Sequence, residues 1–189
     1  MSAKGSDQGF IAALNAGPKL SKAASWAVLL GLAVVFWGID RASKMWAVYE
    51  LSSGQQIPVI NGLLKFELYF NPGAAFSMGE SFTVGLTIFS IVIFGAVLAF
   101  LAPKLRGIWC CFGFGLLLAG IAGNVTDRLF CPPGPFRGHV IDFISLKYFA
   151  VFNVADMCIT GAAILFIVLL LFFDRKAKKL DEDAARRFC

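Results

Sequence analysis

The chain has 189 residues, a mean hydropathy of +0.76 and a hydrophobic content of 58 %, with 20 phenylalanines. Charged residues make up only 15 %, too few to cover a soluble surface of this size, so the composition excludes an ordinary water-soluble globule. The net charge of +5 does not indicate a nucleic-acid partner: 11 of the 17 basic residues fall in just three places (Lys4, Lys19 and Lys22; Lys104 and Arg106; six beyond Asp174), the positive-inside pattern of a multi-span membrane protein.

Residues 1–22 are polar, without periodicity, and read as a cytoplasmic tail. The first apolar run, Ala23–Ile39, holds 17 uncharged residues, about 26 Å of helix at ~1.5 Å per residue. It is longer than a signal-peptide core and ends in Asp40-Arg41, not in a small-residue cleavage site, so it reads as a span. Asp40 and Lys44 are spaced i, i+4 at its outer end and share a helix face, where they can pair.

Leu51–Glu80 reads as a segment outside the membrane. Leu64, Phe66, Leu68 and Phe70 alternate with Lys65, Glu67 and Tyr69, the period-two signature of a half-buried strand, and Asn61-Gly62 predicts a hairpin turn from Ile57–Ile60 into it. Asn71–Ser77 (Asn-Pro-Gly-Ala-Ala-Phe-Ser) is small and built around Gly73; it is either a turn into the next helix or a lid. Ser81–Pro103 is a second span of 23 uncharged residues, Lys104-Leu105-Arg106 a tight turn, and Gly107–Thr126 a third span of 20. Gly113, Gly115, Gly120 and Gly123 in that span predict close helix packing in lipid. Asn124, Asp127 and Arg128 form a polar face at its outer end, where Asp127 and Arg128 are expected to neutralise each other.

Cys131-Pro132-Pro133-Gly134-Pro135 is an irregular turn. Beyond it, Asp142 lies in an apolar β-like run, and Asp156 is the last charge before the uncharged stretch Met157–Phe173, the fourth span. Neither aspartate has a basic residue within four positions, so each is a carboxylate without a local partner at the edge of low dielectric. Two such groups suit acid/base work as a pair, one ionised and one protonated; the competing reading is two interfacial residues bonded to backbone. The five cysteines and the single His139 offer neither a disulfide framework nor metal-ligand spacing, so no metal and no cofactor are expected.

Five blocks carry a resemblance: Asp40-Arg41-Ala42-Ser43-Lys44, Asn71–Ser77, Gly123-Asn124-Val125-Thr126-Asp127-Arg128, Gly138–Ile144 and Phe152-Asn153-Val154-Ala155-Asp156. In this order, each at the outer end of a span, they resemble bacterial lipoprotein signal peptidase, the signal peptidase II family of four-span aspartic proteases. The resemblance implies that Asp142 and Asp156 are the catalytic pair. It implies that Asn124, Arg128 and Asn153 line the active site, that Asn71 and Gly73 belong to a loop closing over substrate, and that Asp40 and Lys44 support the site. It also implies the substrate, a diacylglyceryl-modified prolipoprotein cleaved before its lipid-bearing cysteine, with membrane lipids as surroundings, no nucleic acid and a monomeric enzyme.

The expected architecture is a mainly α membrane protein of four transmembrane helices with a small periplasmic β element, a hairpin or cradle, and an outer loop. The catalytic membrane domain covers 23–173, with spans at about 23–39, 81–103, 107–126 and 157–173 and periplasmic segments at about 40–80 and 127–156. The cytoplasmic tails are 1–22 and 174–189. A proton-coupled transporter using intramembrane carboxylates is the alternative, disfavoured because the charges cluster at one face and not at the midplane.

Overall fold

The structure, a computed structural model, describes residues 17–73 and 79–187, with side chains at 17–73 and 83–172. The expected tail over 1–16, the part of the proposed lid at 74–78, and Cys189 lie outside the described residues. Among the described residues, four helices are long and apolar enough to cross a membrane: α1 (Lys22–Leu51), α2 (Gly79–Ala96, extended by a π turn at Val97–Leu101 and a 3-10 turn at Ala102–Lys104), α3 (Ile108–Phe130) and α4 (Val154–Arg187). Three strands, β1 (Ile57–Ile60), β2 (Leu64–Asn71) and β3 (Val140–Leu146), form one antiparallel sheet in the order β1-β2-β3.

Helix α1 is 30 residues long, about 45 Å at ~1.5 Å per residue, and continues twelve residues past the uncharged run that marks its span. It starts at Ser21, whose hydroxyl accepts from the Ala24 amide at 3.2 Å. No proline or glycine follows Ile39 until Gly54, which takes φ +79° and donates its amide to the Leu51 carbonyl, ending the helix. This extension supplies the floor of the sheet: Ala47 and Leu51 are buried with Phe143, and Ile57, Phe66, Leu68, Ile144 and Val154 pack around them. Trp46 meets Phe66 edge-on at 5.3 Å between ring centroids.

The hairpin turns at Asn61-Gly62 as expected, with Gly62 at φ +73°. The alternation along β2 does not hold to its end. A register shift between Phe66 and Tyr69 in the pairing with β3 leaves both Tyr69 (52 % exposed) and Phe70 (48 %) facing outward, so Phe70 does not share the buried face of Phe66 and Leu68.

Helix α3 is the centre of the bundle: 61 % of its most apolar stretch is buried within the protein, against 17 % or less for the other three. The four glycines explain how α1 and α4 approach it. A Cβ on Gly123 would lie 2.5 Å from Asp40 Oδ2 and 2.9 Å from Ala155 Cβ, and one on Gly120 would strike the Ala155 carbonyl. In lipid, where burying leucine against leucine gains little over leucine against acyl chain, this closeness is what the helices gain from packing. At the end remote from the sheet, the Leu20 amide donates to the Arg106 carbonyl at 2.7 Å, placing the start of α1 beside the Lys104–Arg106 turn. Helix α4 begins three residues before Met157, so Asp156 lies inside its first turn, and it runs on through most of the expected C-terminal tail.

Candidate active site

Two polar networks meet where the outer end of the bundle joins the sheet. The first is built on charge. Lys44, with no exposed surface, pairs with Asp40 Oδ2 at 2.9 Å and Asp127 Oδ2 at 2.8 Å. Asp127 also pairs with Arg41 through its other oxygen and accepts the Ile141 amide at 3.3 Å. Asp40 Oδ1 accepts the amide of Ala155 at 2.9 Å, satisfying one of the orphan N–H groups at the start of α4. Two carboxylates and two cations leave this cluster formally neutral.

The expected pairing of Asp127 with Arg128 is not what forms. Successive helix residues point about 100° apart, so neighbours in sequence cannot face each other, whereas Lys44 and Arg41 on α1 can face Asp127 across the interface. Asp40 and Lys44 do pair as their spacing predicts. The pairing partner sequence reasoning missed is Arg41, whose signal was its place inside the Asp40–Lys44 block.

The second network holds Asp142 and Asp156. Asp142, on β3 opposite Tyr69, is 1 % exposed; Asn71 Nδ2 donates to its Oδ2 at 2.9 Å and Asn153 Nδ2 to its Oδ1 at 2.6 Å. Asp156 Oδ1 accepts from Asn124 Nδ2 at 2.8 Å and its Oδ2 from the Asn153 amide at 3.2 Å, while the Asp156 amide donates back to Asn153 Oδ1 at 3.0 Å. Those last two bonds are a reciprocal capping box at the start of α4. The sequence carried that signal in Asn153-Val154-Ala155-Asp156, an N-cap residue followed three positions later by an acid. Asn153 therefore touches both aspartates and holds them on either side of one side chain.

Burial of Asp142 in the strand pushes its carboxyl up from the ordinary 3.8 to about 6. The Asn71 donor resists this, the nearby charge of Asp156 adds to it, and Asn153 and Lys44 pull it back. Arg128 lies in the field of Asp156, Asp127 and Asp142, and its buried Nε has no hydrogen-bond partner among the described residues. Its Nη2 is 3.9 Å from where a Cβ on Gly73 would stand. Gly73, at φ +82°, donates its amide to Asn71 Oδ1 at 2.8 Å, a side-chain turn that aims the Asn71 amide nitrogen at Asp142. Thr83 on α2 donates to the Pro72 carbonyl and Thr87 to the Phe136 carbonyl at 3.1 Å, tying both outer loops to that helix.

All nine residues singled out in the sequence thus fall within these two contiguous networks or, for Gly73 and Arg128, beside them. Among the described residues no group of three or more His, Cys, Asp and Glu side chains has the arrangement to hold a metal ion.

Comparison with known proteins decides the family. The model of "Signal peptidase (SPase) II" matches residues 32–172, a stretch that takes in all five motif blocks. The chain belongs to the signal peptidase II family. Curated relatives named lipoprotein signal peptidase include one from Streptomyces griseus, 44 % identical over 91 % of this chain and 83 % of its own, and one from Mycobacterium avium, 38 % identical over 84 % and 88 %. A solved bacterial membrane enzyme superposes with a TM-score of 0.67 at 27 % identity, covering 82 % of this chain and 96 % of its own. This signal peptidase II homologue is a multi-pass bacterial membrane peptidase, and nothing supports the transporter reading.

Proposed function

We propose that this chain removes signal peptides from diacylglyceryl-modified prolipoproteins, cleaving before the lipid-bearing cysteine, and that it does so as an aspartic endopeptidase with Asp142 and Asp156 as the catalytic pair. The observation that carries the reading is the contrast in charge: of the carboxylates at this end of the bundle, Asp40 and Asp127 are matched by cations in contact, whereas Asp142 and Asp156 are held by amides. Amides fix a carboxyl's position without committing it to the ionised form. Two carboxyls that share one proton can divide the work, one activating water while the other protonates the scissile carbonyl oxygen. Arg128, beside Gly73 and facing the pair, is placed to contact substrate carbonyls. An apolar groove of about 190 Å³ between α2 and α3, lined by Ile91, Phe94, Ile121 and Val125, suits part of an acyl chain.

The basic ends of the chain and the Lys104–Arg106 turn face the cytoplasm in this reading, which puts the pair at the periplasmic face of the inner membrane and lets the enzyme work as a monomer among lipids. The test is purified protein in detergent with a diacylated prolipoprotein, followed by mobility shift with and without exhaustive chelation. Cleavage that survives chelation is expected, and loss restored by zinc would defeat the aspartic reading. Accessibility labelling should find Cys131 external; a cytoplasmic Cys131 would overturn the orientation.

A further inference from the structure

Lys44 is fully buried and its contacts are with Asp40, Asp127 and Asn124, yet the last of these leads directly to the pair. Its Nζ donates to Asn124 Oδ1 at 3.2 Å, and the other end of the same amide, Asn124 Nδ2, donates to Asp156 Oδ1 at 2.8 Å. An ammonium can only donate, so it fixes which end of Asn124 faces which way: oxygen to Lys44, NH₂ to Asp156. A cation on the amide oxygen also draws charge from the nitrogen and strengthens the bond that nitrogen donates. Asp142 has no donor of this kind. Its donors are Asn71 and Asn153, whose own oxygens accept from the neutral amides of Gly73 and Asp156.

We propose that Lys44 is a positioning residue for charge: acting through Asn124, it localises the negative charge of the pair on Asp156, making Asp156 the base and Asp142 the acid. The inference rests on the aspartic reading above. Every other charged group facing the pair agrees with it or is neutralised. From α3, Arg128 has Asp156 as the foremost of its three acidic neighbours; Asp127 is matched by Arg41 and Lys44; from α1, Asp40 is matched by Lys44. Asp156 also stands in the first turn of α4, where the helix dipole favours an anion. From β3, Asp142 is enclosed, and burial with the charge of Asp156 opposes its ionisation more than its amide donors and the field of Lys44 favour it.

The steps then balance as follows. Asp156 takes a proton from water as the water oxygen bonds to the scissile carbonyl carbon, and Asp142 gives its proton to the carbonyl oxygen, forming a gem-diol. The C–N bond breaks as the nitrogen takes the proton now on Asp156, and Asp142 recovers a proton from one hydroxyl. An acid and an amine leave, and the pair returns to its starting charge.

The test pairs Lys44→Met with Asp40→Asn, so that one positive and one negative charge leave together and Asp127 keeps Arg41. The acidic limb of kcat/KM against pH should move up by about one pH unit, because the base has lost its charge-backed donor. A limb that stays in place while activity falls would mean that Lys44 is structural only. The second measurement does not need that variant to fold. In infrared difference spectra of the full chain at about pH 5, the protonated-carboxyl band of the pair should vanish in Asp142→Asn and persist in Asp156→Asn. The reverse pattern, or a band indifferent to both substitutions, overturns the assignment. If instead Asp142→Asn still cleaves substrate, it is the aspartic reading that fails, whatever the spectra show.

Discussion

Two sets of carboxylates share the outer end of this bundle and differ in their partners. Asp40 and Asp127 meet Lys44 and Arg41 in direct ion pairs, whereas Asp142 and Asp156 meet Asn71, Asn124 and Asn153. A carboxylate matched by a contacting cation stays ionised and contributes structure; one held by neutral amides keeps access to both protonation states. Burial alone does not mark a catalytic group, since Asp127 is as buried as Asp142. What distinguishes them is the partner, and Asn124, bonded to Lys44 on one side and Asp156 on the other, is the seam between the two sets.

The largest expected effect breaks the comparison on its catalytic side. Asp142→Asn and Asp156→Asn should each lower cleavage by roughly three orders of magnitude or more, and the double variant should be no worse, because residues acting as a unit are not additive. Stability should move the other way for Asp142. Its folded pKa of about 6 exceeds the ordinary 3.8, so the protonated form is the one the fold favours. Stability is full below the unfolded value and is lost as pH rises through about 6, at most about 3 kcal/mol. Asp142→Asn should abolish that loss, seen as a melting temperature in detergent that no longer falls between about pH 4 and pH 7. Wild-type activity in either variant would remove the distinction between the two sets.

The next effect breaks the structural side. Lys44→Met leaves Asp40 without its cation and Asp127 with Arg41 alone, and should cost about 3–5 kcal/mol. Asp127→Asn should cost less, since Lys44 keeps Asp40 and Arg41 is partly exposed. Combining Lys44→Met with Asp40→Asn should recover part of the loss, because that double variant keeps Asp127 on Arg41 and strands no unmatched charge. Thermal unfolding in detergent reads these variants and Asp40→Asn alone, and strict additivity would show that the cluster is not a unit.

Much of this was legible in the sequence. The uncharged runs marked four spans, Asn61-Gly62 marked the hairpin, and the missing basic neighbours of Asp142 and Asp156 pointed to the pair that the family blocks also single out. The misses share a cause. Asp127 was matched with Arg128 because they are adjacent, but partners across a helix interface are set by facing surfaces, and those come from the close approach that Gly123 permits between α3 and α1. The uncharged run marks only the membrane-spanning part of α1, because hydropathy registers the membrane and not the helix, so the residues that floor the sheet do not show in it. Phe70 was placed by strict alternation, which a register shift interrupts.

The smallest expected effect sharpens the comparison by asking what opens the catalytic set to substrate and leaves the structural set closed. Gly73 stands at that boundary. Its amide holds Asn71 Oδ1, Asn71 in turn donates to Asp142, and Thr83 of α2 anchors the neighbouring Pro72 carbonyl. At φ +82° a valine is strained whatever the space around it, and its Cβ would lie 3.4 Å from Leu86 and 3.7 Å from Thr83 Oγ1. We expect the turn to shift, not the bundle, because none of these contacts involves Lys44, Asp40 or Asp127. Gly73→Val should then lower turnover about tenfold by misplacing one donor to Asp142. Because the change is confined to that turn, the melting temperature should stay within a few degrees of wild type. Asn71→Ala, which removes the donor outright while leaving the glycine, should reproduce the kinetic loss. If Gly73→Val lowers turnover and Asn71→Ala does not, the turn acts on substrate directly as a lid and not through the position of Asp142.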